Sequence, residues 1–165
     1  MKILPFVLIA IASAAKQCYD SEDRLISGMC YKLVNQQLSY DDALNWCHYS
    51  NPVAQSYLAM VADQTTASFL ASYARTTFNI NEGKFWIGLS RKSSTSPWSW
   101  DNGIPLQWTN FAAPLGQNYV AQSMVNTKWS TYTGTDKNFF ACSYDPDGVL
   151  ATTTQEVPTT TVDLT

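Results

Sequence analysis

The spacing of apolar positions changes character near residue 80. Between residues 39 and 78 they recur at helical spacing, and from residue 85 they come in short aromatic and β-branched runs separated by turn residues. Ser39 is placed to cap a first helix, with Asp41 and Asp42 in its opening turn, where carboxylates suit the positive end of the helix dipole. Tyr40, Ala43, Leu44 and Cys47 then share one face, and Asn51-Pro52 closes the helix. A second helix is expected from Asp63, a good N-cap, with Phe69, Leu70, Tyr73 and Ala74 on one face. Its exit falls at Thr76-Thr77-Phe78, which favours extended backbone.

Strand signals follow. Phe85 to Leu89 reads FWIGL, and Trp98 and Trp100 alternate onto one face ahead of an Asp101-Asn102-Gly103 turn. Tyr119 to Val125 and Asn138 to Tyr144 are two further strands, separated by the turn-rich stretch Ser130 to Asp136. Two helices followed by several antiparallel strands make an α+β domain.

Both ends differ from this pattern. Residues 1–14 carry Lys2, an apolar run from Ile3 to Ala12 and a small-residue Ala12-Ser13-Ala14 exit, the layout of a secretory signal peptide. That run is too short to span a bilayer and no later segment is longer, so membrane insertion is not expected. Residues 149–165 are expected to be a disordered tail, since Thr152 to Thr165 holds seven threonines in 14 residues and no aromatic anchor. The chain has no N-glycosylation sequon.

Composition agrees with a secreted module. Of 165 residues 45% are hydrophobic and 13% aromatic but only 14% charged, against roughly 25% in ordinary soluble domains. A net charge of −3 leaves no basic footprint for nucleic acid. The four cysteines, Cys18, Cys30, Cys47 and Cys142, imply two disulfides in an oxidising compartment, with three connectivities open. None is at C-x-x-C spacing and His48 is the sole histidine, which argues against structural zinc. Neither G-x-S-x-G nor H-E-x-x-H is present. His48 is read as a surface helix residue, and Asp145 and Asp147 as flanking Pro146 in a C-terminal turn, so no enzyme is expected.

The ordered pieces resemble the C-type lectin-like domain family over residues 18–144. They are Cys18 and Cys30-Tyr31, SYDDALNWC (39–47), LAMVADQTTASFL (58–70), FWIGL (85–89), WSWDNGIPLQWTNF (98–111), KWS (128–130) and FFAC (139–142). The resemblance implies two helices packed on antiparallel sheets with a long loop region. It also implies disulfides Cys18 to Cys30, closing an N-terminal hairpin, and Cys47 to Cys142, tying the first helix to the last strand. With Cys47 so paired, no thiolate is left beside His48. A further disulfide common in the family would fall at Tyr119 and Gly134, so both partners are missing together and the stretch from Phe111 to Gly134 is expected to be looser.

Sugar-binding relatives hold calcium through E-P-N or Q-P-D in the long loop, a glutamate before a cysteine, and the Asn-Asp of W-N-D. Here Asn110 to Gly116 reads NFAAPLG, Gln117 and Asn118 replace the acidic pair, and Ser130-Thr131 replaces Asn-Asp. Calcium needs several carboxylates to offset its charge, so neither a metal nor any other cofactor is expected. A ligand would be held by stacking and neutral hydrogen bonds, with Gln117, Asn118, Tyr119, Ser130, Thr131 and Tyr132 as the candidate residues. Trp108, Phe111 and Trp129 offer further aromatic faces, although Trp86, Trp100 and Trp129 are expected to fill the core. The resemblance implies a glycan or an extracellular protein as partner, with a role in innate defence. A calcium-dependent lectin is the alternative.

Overall fold

The caps set where both helices begin. In the computed structural model, which describes residues 15–112 and 115–149, the Ser39 hydroxyl accepts from the Asp42 amide and the Asp63 carboxylate from the Thr66 amide. The leader expected over residues 1–14 and the threonine-rich stretch from residue 150 lie outside the described residues. In chain order the elements are β1 (Arg24–Ile26), β2 (Met29–Leu38), α1 (Tyr40–Ser50), β3 (Ala54–Leu58) and α2 (Gln64–Phe78). They continue with β4 (Lys84–Ser90), β5 (Ser99–Trp100), β6 (Tyr119–Ser123), β7 (Trp129–Tyr132) and β8 (Asn138–Val149).

The α+β class holds, with one sheet rather than several. Its order is β1-β2-β8-β4-β6-β7, with β3 also on β8 and β5 also on β4. The pairings are antiparallel except β4 with β8, where Phe85 and Trp86 lie beside Phe139 and Phe140 in parallel, so the sheet is mixed. Alternation along β4 divides the interior. Phe85, Ile87 and Leu89 face α2 and the loop aromatics, while Trp86 faces α1 with Tyr40, Ala43 and Phe140. A Cβ on Gly88 would overlap the Leu58 carbonyl, so only glycine lets the chain after β3 approach β4 closely enough for Gly88 N–H to bond Ala59 O at 2.8 Å.

Four details depart from the sequence expectation. The buried face of α2 is Thr66, Ala67, Leu70, Ala71, Ala74 and Phe78, whereas Phe69 is exposed and Tyr73 half-buried. Small alanines let the helix sit close to the sheet, and the two aromatics flank that contact instead of forming it. The Thr-Thr-Phe exit stays helical, because Phe78 stacks on Phe139 at 4.2 Å and Asn79 ends the helix in the left-handed region with φ 52°. The first residues of the expected turn, Ser130 to Tyr132, extend β7, since Trp129 is fully buried beneath the loop. Asp145 and Asp147 continue β8, and Lys16 reaches Asp147 at 2.7 Å across the surface.

Both disulfides connect the pairs the family resemblance implies: Cys18 to Cys30 and Cys47 to Cys142. Beside the first, Lys32 Nζ lies 2.7 Å from Asp20 and 3.0 Å from buried Asp23. The Tyr144 hydroxyl donates to Asp23 Oδ2 at 2.6 Å and accepts from the Tyr19 amide at 2.9 Å. Burial, and then the Asp23 carboxylate, push the Tyr144 phenol up to about 12.

Candidate functional site

The long excursion between β4 and β6 begins at Arg91, whose side chain gathers it. Its Nε donates to Asn118 Oδ1 at 3.0 Å, Nη1 to Ser94 O at 3.1 Å, and Nη2 to Leu115 O at 3.1 Å and Gln117 O at 3.2 Å. The Arg91 amide bonds Asn118 O at 3.0 Å, and the guanidinium lies 4.6 Å from the Trp98 ring centroid. No recognisable motif marks this residue. Its acceptors are mostly backbone carbonyls, which any sequence can supply, and only its place directly after the FWIGLS strand hinted at a loop role.

Beneath the loop, aromatics meet edge to face around one tryptophan. Trp100, Trp108 and Phe111 approach Trp129 with centroids at 5.6, 5.2 and 5.5 Å, and Trp98 leans on Phe111. Trp129 Nε1 donates to buried Gln122, whose own amide donates to Ala67 O at 2.8 Å. Trp86, Trp100 and Trp129 are therefore core residues as expected, while Trp108 remains half-exposed.

The six candidate residues divide between two faces of the sheet. Gln117, Asn118 and Thr131 come together beside Arg91, with the Gln117 amide donating to Thr131 Oγ1 at 3.1 Å. Ser130 and Tyr132 alternate to the α1 side, where Lys84 Nζ sits 4.3 Å over the Tyr132 ring. Tyr119 also turns that way and packs on Tyr40 at 4.6 Å, although its edge borders an open groove formed with Ser90, Arg91, Lys92, Ser96 and Ser99. They do not form one surface, because residues adjacent along a strand point to opposite faces.

A calcium ion does not fit among the loop oxygens that Arg91 gathers. Asn118 Oδ1 and the Leu115 and Gln117 carbonyls already accept from a guanidinium, and a second cation among them would be repelled. Among the described residues no three His, Cys, Asp or Glu side chains gather closely enough to hold an ion; Ala113 and Pro114 of the NFAAPLG stretch lie outside them. His48 is not a free surface residue. Its Nε2 lies 2.8 Å from buried Asp101 Oδ2, which also accepts from the Leu58 amide at 2.8 Å. Cys47, its neighbour, is consumed in a disulfide.

Two capped helices against this sheet, a disulfide from α1 to the last strand, and a loop face on an aromatic hub define a C-type lectin-like fold. Residues 36–144 match the family described as the lectin C-type domain, and the chain belongs to it. Relatives are distant. It is 28% identical over 138 residues to one component of the snaclec anticoagulant protein of Deinagkistrodon acutus, covering 84% of this chain and 90% of that one. It is 25% identical over 118 residues to the alpha-N-acetylgalactosamine-specific lectin of Patiria pectinifera, covering 71% and 70%. Among solved structures, human lithostathine aligns over 83% of this chain and 99% of its own with TM-score 0.71 at 20% identity. The C-type lectin CEL-I of Cucumaria echinata aligns over 77% and 96% with TM-score 0.68, also at 20%.

Proposed function

We propose that this chain is a secreted, calcium-independent binding module that recognises a glycan or an extracellular protein through its loop face. The observation that carries the reading is the neutral acceptor set around Arg91: the oxygens that converge there are already satisfied by a side chain of the protein. Exposed Gln117 and half-exposed Trp108 and Thr131 then offer an amide, an aromatic face and a hydroxyl, which suit stacking and neutral hydrogen bonding. A lectin and a snaclec among the relatives are compatible with either ligand class. The lack of carboxylates favours the protein ligand. A part in innate defence rests on the family resemblance alone.

A glycan array read with calcium and again with chelator tests this. Chelator-resistant binding supports neutral recognition of a sugar, and silence in both directs the search to a protein partner. Binding abolished by chelator overturns the proposal. Secretion is checked separately by the mass of exported protein, which should begin at Ala15 after removal of residues 1–14.

A further inference from the structure

We propose that Arg91 is a resident cation that positions the loop face, holding its order by hydrogen bonds that no metal ion supplies. This rests on the binding role assigned to that face and extends it to a named positioning residue. Several observations converge. The four acceptors come from two separate stretches, Ser94 and Leu115 to Asn118, so a single planar group ties together the two ends of a loop of more than twenty residues. Trp98 covers the guanidinium at 4.6 Å and passes the contact on through Phe111 to Trp129. No carboxylate lies among these acceptors, so the charge is met by oriented dipoles, as it would be around an ion.

Guanidinium chemistry distinguishes this arrangement from a metal site. A guanidinium has five N–H donors in a fixed plane, and Arg91 commits four hydrogen bonds to the protein itself. A metal ion can exchange one of its oxygen ligands for an incoming one; a guanidinium already spanning four protein oxygens cannot do so without releasing the loop. Arg91 therefore acts through its neighbours. It fixes the Gln117 carbonyl and the Asn118 side chain, and the Gln117 amide is then aimed at Thr131 Oγ1. What meets a ligand is the outer edge, where the exposed Gln117 side chain stands.

Hydrogen–deuterium exchange tests the proposal without any ligand, so its result is independent of whether a glycan binds. In the native protein, exchange across the peptide ending at Asn118 should be the same with excess calcium or with EDTA. In Arg91→Gln the same peptide should exchange at least about tenfold faster, as expected when charge-assisted hydrogen bonds are lost, while Val120 to Gln122 stay protected. Arg91→Lys should behave like Arg91→Gln, because a point charge cannot span the four acceptors. Should Arg91→Gln fail to fold, Asn118→Ala removes one acceptor and is expected to raise exchange in the same peptide. Unchanged exchange in the variants, full protection in Arg91→Lys, or protection of the native loop by calcium overturns the proposal.

Discussion

Tyr119 lies against Gly134: a Cβ built on Gly134 would come 2.9 Å from Tyr119 Cε2 and 3.2 Å from Cδ2. These are the two positions at which the family resemblance placed an absent disulfide. The ring fills that space, supported by Tyr40 at 4.6 Å, and the Gly134 carbonyl accepts from the Tyr40 amide at 2.9 Å. The stretch expected to be looser thus contains a packed strand pair, with Val120, Gln122 and Trp129 fully buried. Gly134→Ala should cost about 1–3 kcal/mol, the range for overpacking a filled site. In a double-mutant cycle that penalty should shrink when Tyr119 is alanine, read by denaturant unfolding. An equal penalty in both backgrounds would show that the contact is not what makes glycine necessary.

The two disulfides should differ in weight. Cys18 and Cys30 are separated by 12 positions, and Cys47 and Cys142 by 95. Restricting the unfolded chain is worth about 3 kcal/mol for a loop of the first size and about 4.7 for one of the second, both upper estimates. Replacing Cys47 and Cys142 by alanine should lower the urea midpoint more than replacing Cys18 and Cys30. Peptide mapping of the native protein should recover the same two pairs.

Alkaline stability should report the N-terminal polar cluster together with the Tyr31 and Tyr40 phenols, which burial also pushes up. The Tyr144 phenol titrates at about 12 in the fold, above its usual value, because burial and then Asp23 disfavour its anion. The unfolded chain loses that proton first, so the contribution is complete below about pH 10 and disappears as pH rises to about 12. Lys32 acts in the same direction: burial opposes its charge, but Asp20 and Asp23 outweigh that and raise its pKa. Tyr144→Phe should therefore flatten the decline without abolishing it. Its cost near neutral pH should be about 1–2 kcal/mol for the lost hydrogen bond. A decline as steep in Tyr144→Phe as in the native protein would place the alkaline sensitivity elsewhere.

Local signals carried over well where the cause is local. Ser39 and Asp63 cap their helices because a side-chain oxygen can reach the amide three residues on whatever the tertiary context. The disulfide pairing was legible only through the family resemblance, since spacing left three options. Tertiary causes stayed hidden. Phe69 and Tyr73 carry more apolar surface than Ala67 and Ala71, yet the sheet selected the small residues that let the helix come close. Arg91 resembled a solvated strand-end charge until Leu115, Gln117 and Asn118 were brought back to it. Likewise Ser130, Thr131 and Tyr132 form one candidate in sequence but two faces in the strand, so only part of that set can share a ligand with Gln117 and Asn118.

His48 and the Leu58 amide share one carboxylate oxygen of Asp101. Asp101 Oδ2 accepts from His48 Nε2 and from the Leu58 amide, each at 2.8 Å, and so links α1, β3 and the turn that opens after β5. His48 also meets Tyr57 edge to face at 5.5 Å. Asp101 is buried while His48 is partly exposed, and the two substitutions should therefore be unequal. Asp101→Ala strands the Leu58 N–H and should cost about 1–3 kcal/mol; His48→Ala leaves Asp101 with its amide partner and should cost about 1 kcal/mol or less. Thermal unfolding of the single and double variants measures the difference, and the double variant should be little worse than Asp101→Ala, since both remove the same link. An additive loss would mean that His48 stabilises the domain through Tyr57 and the helix rather than through Asp101.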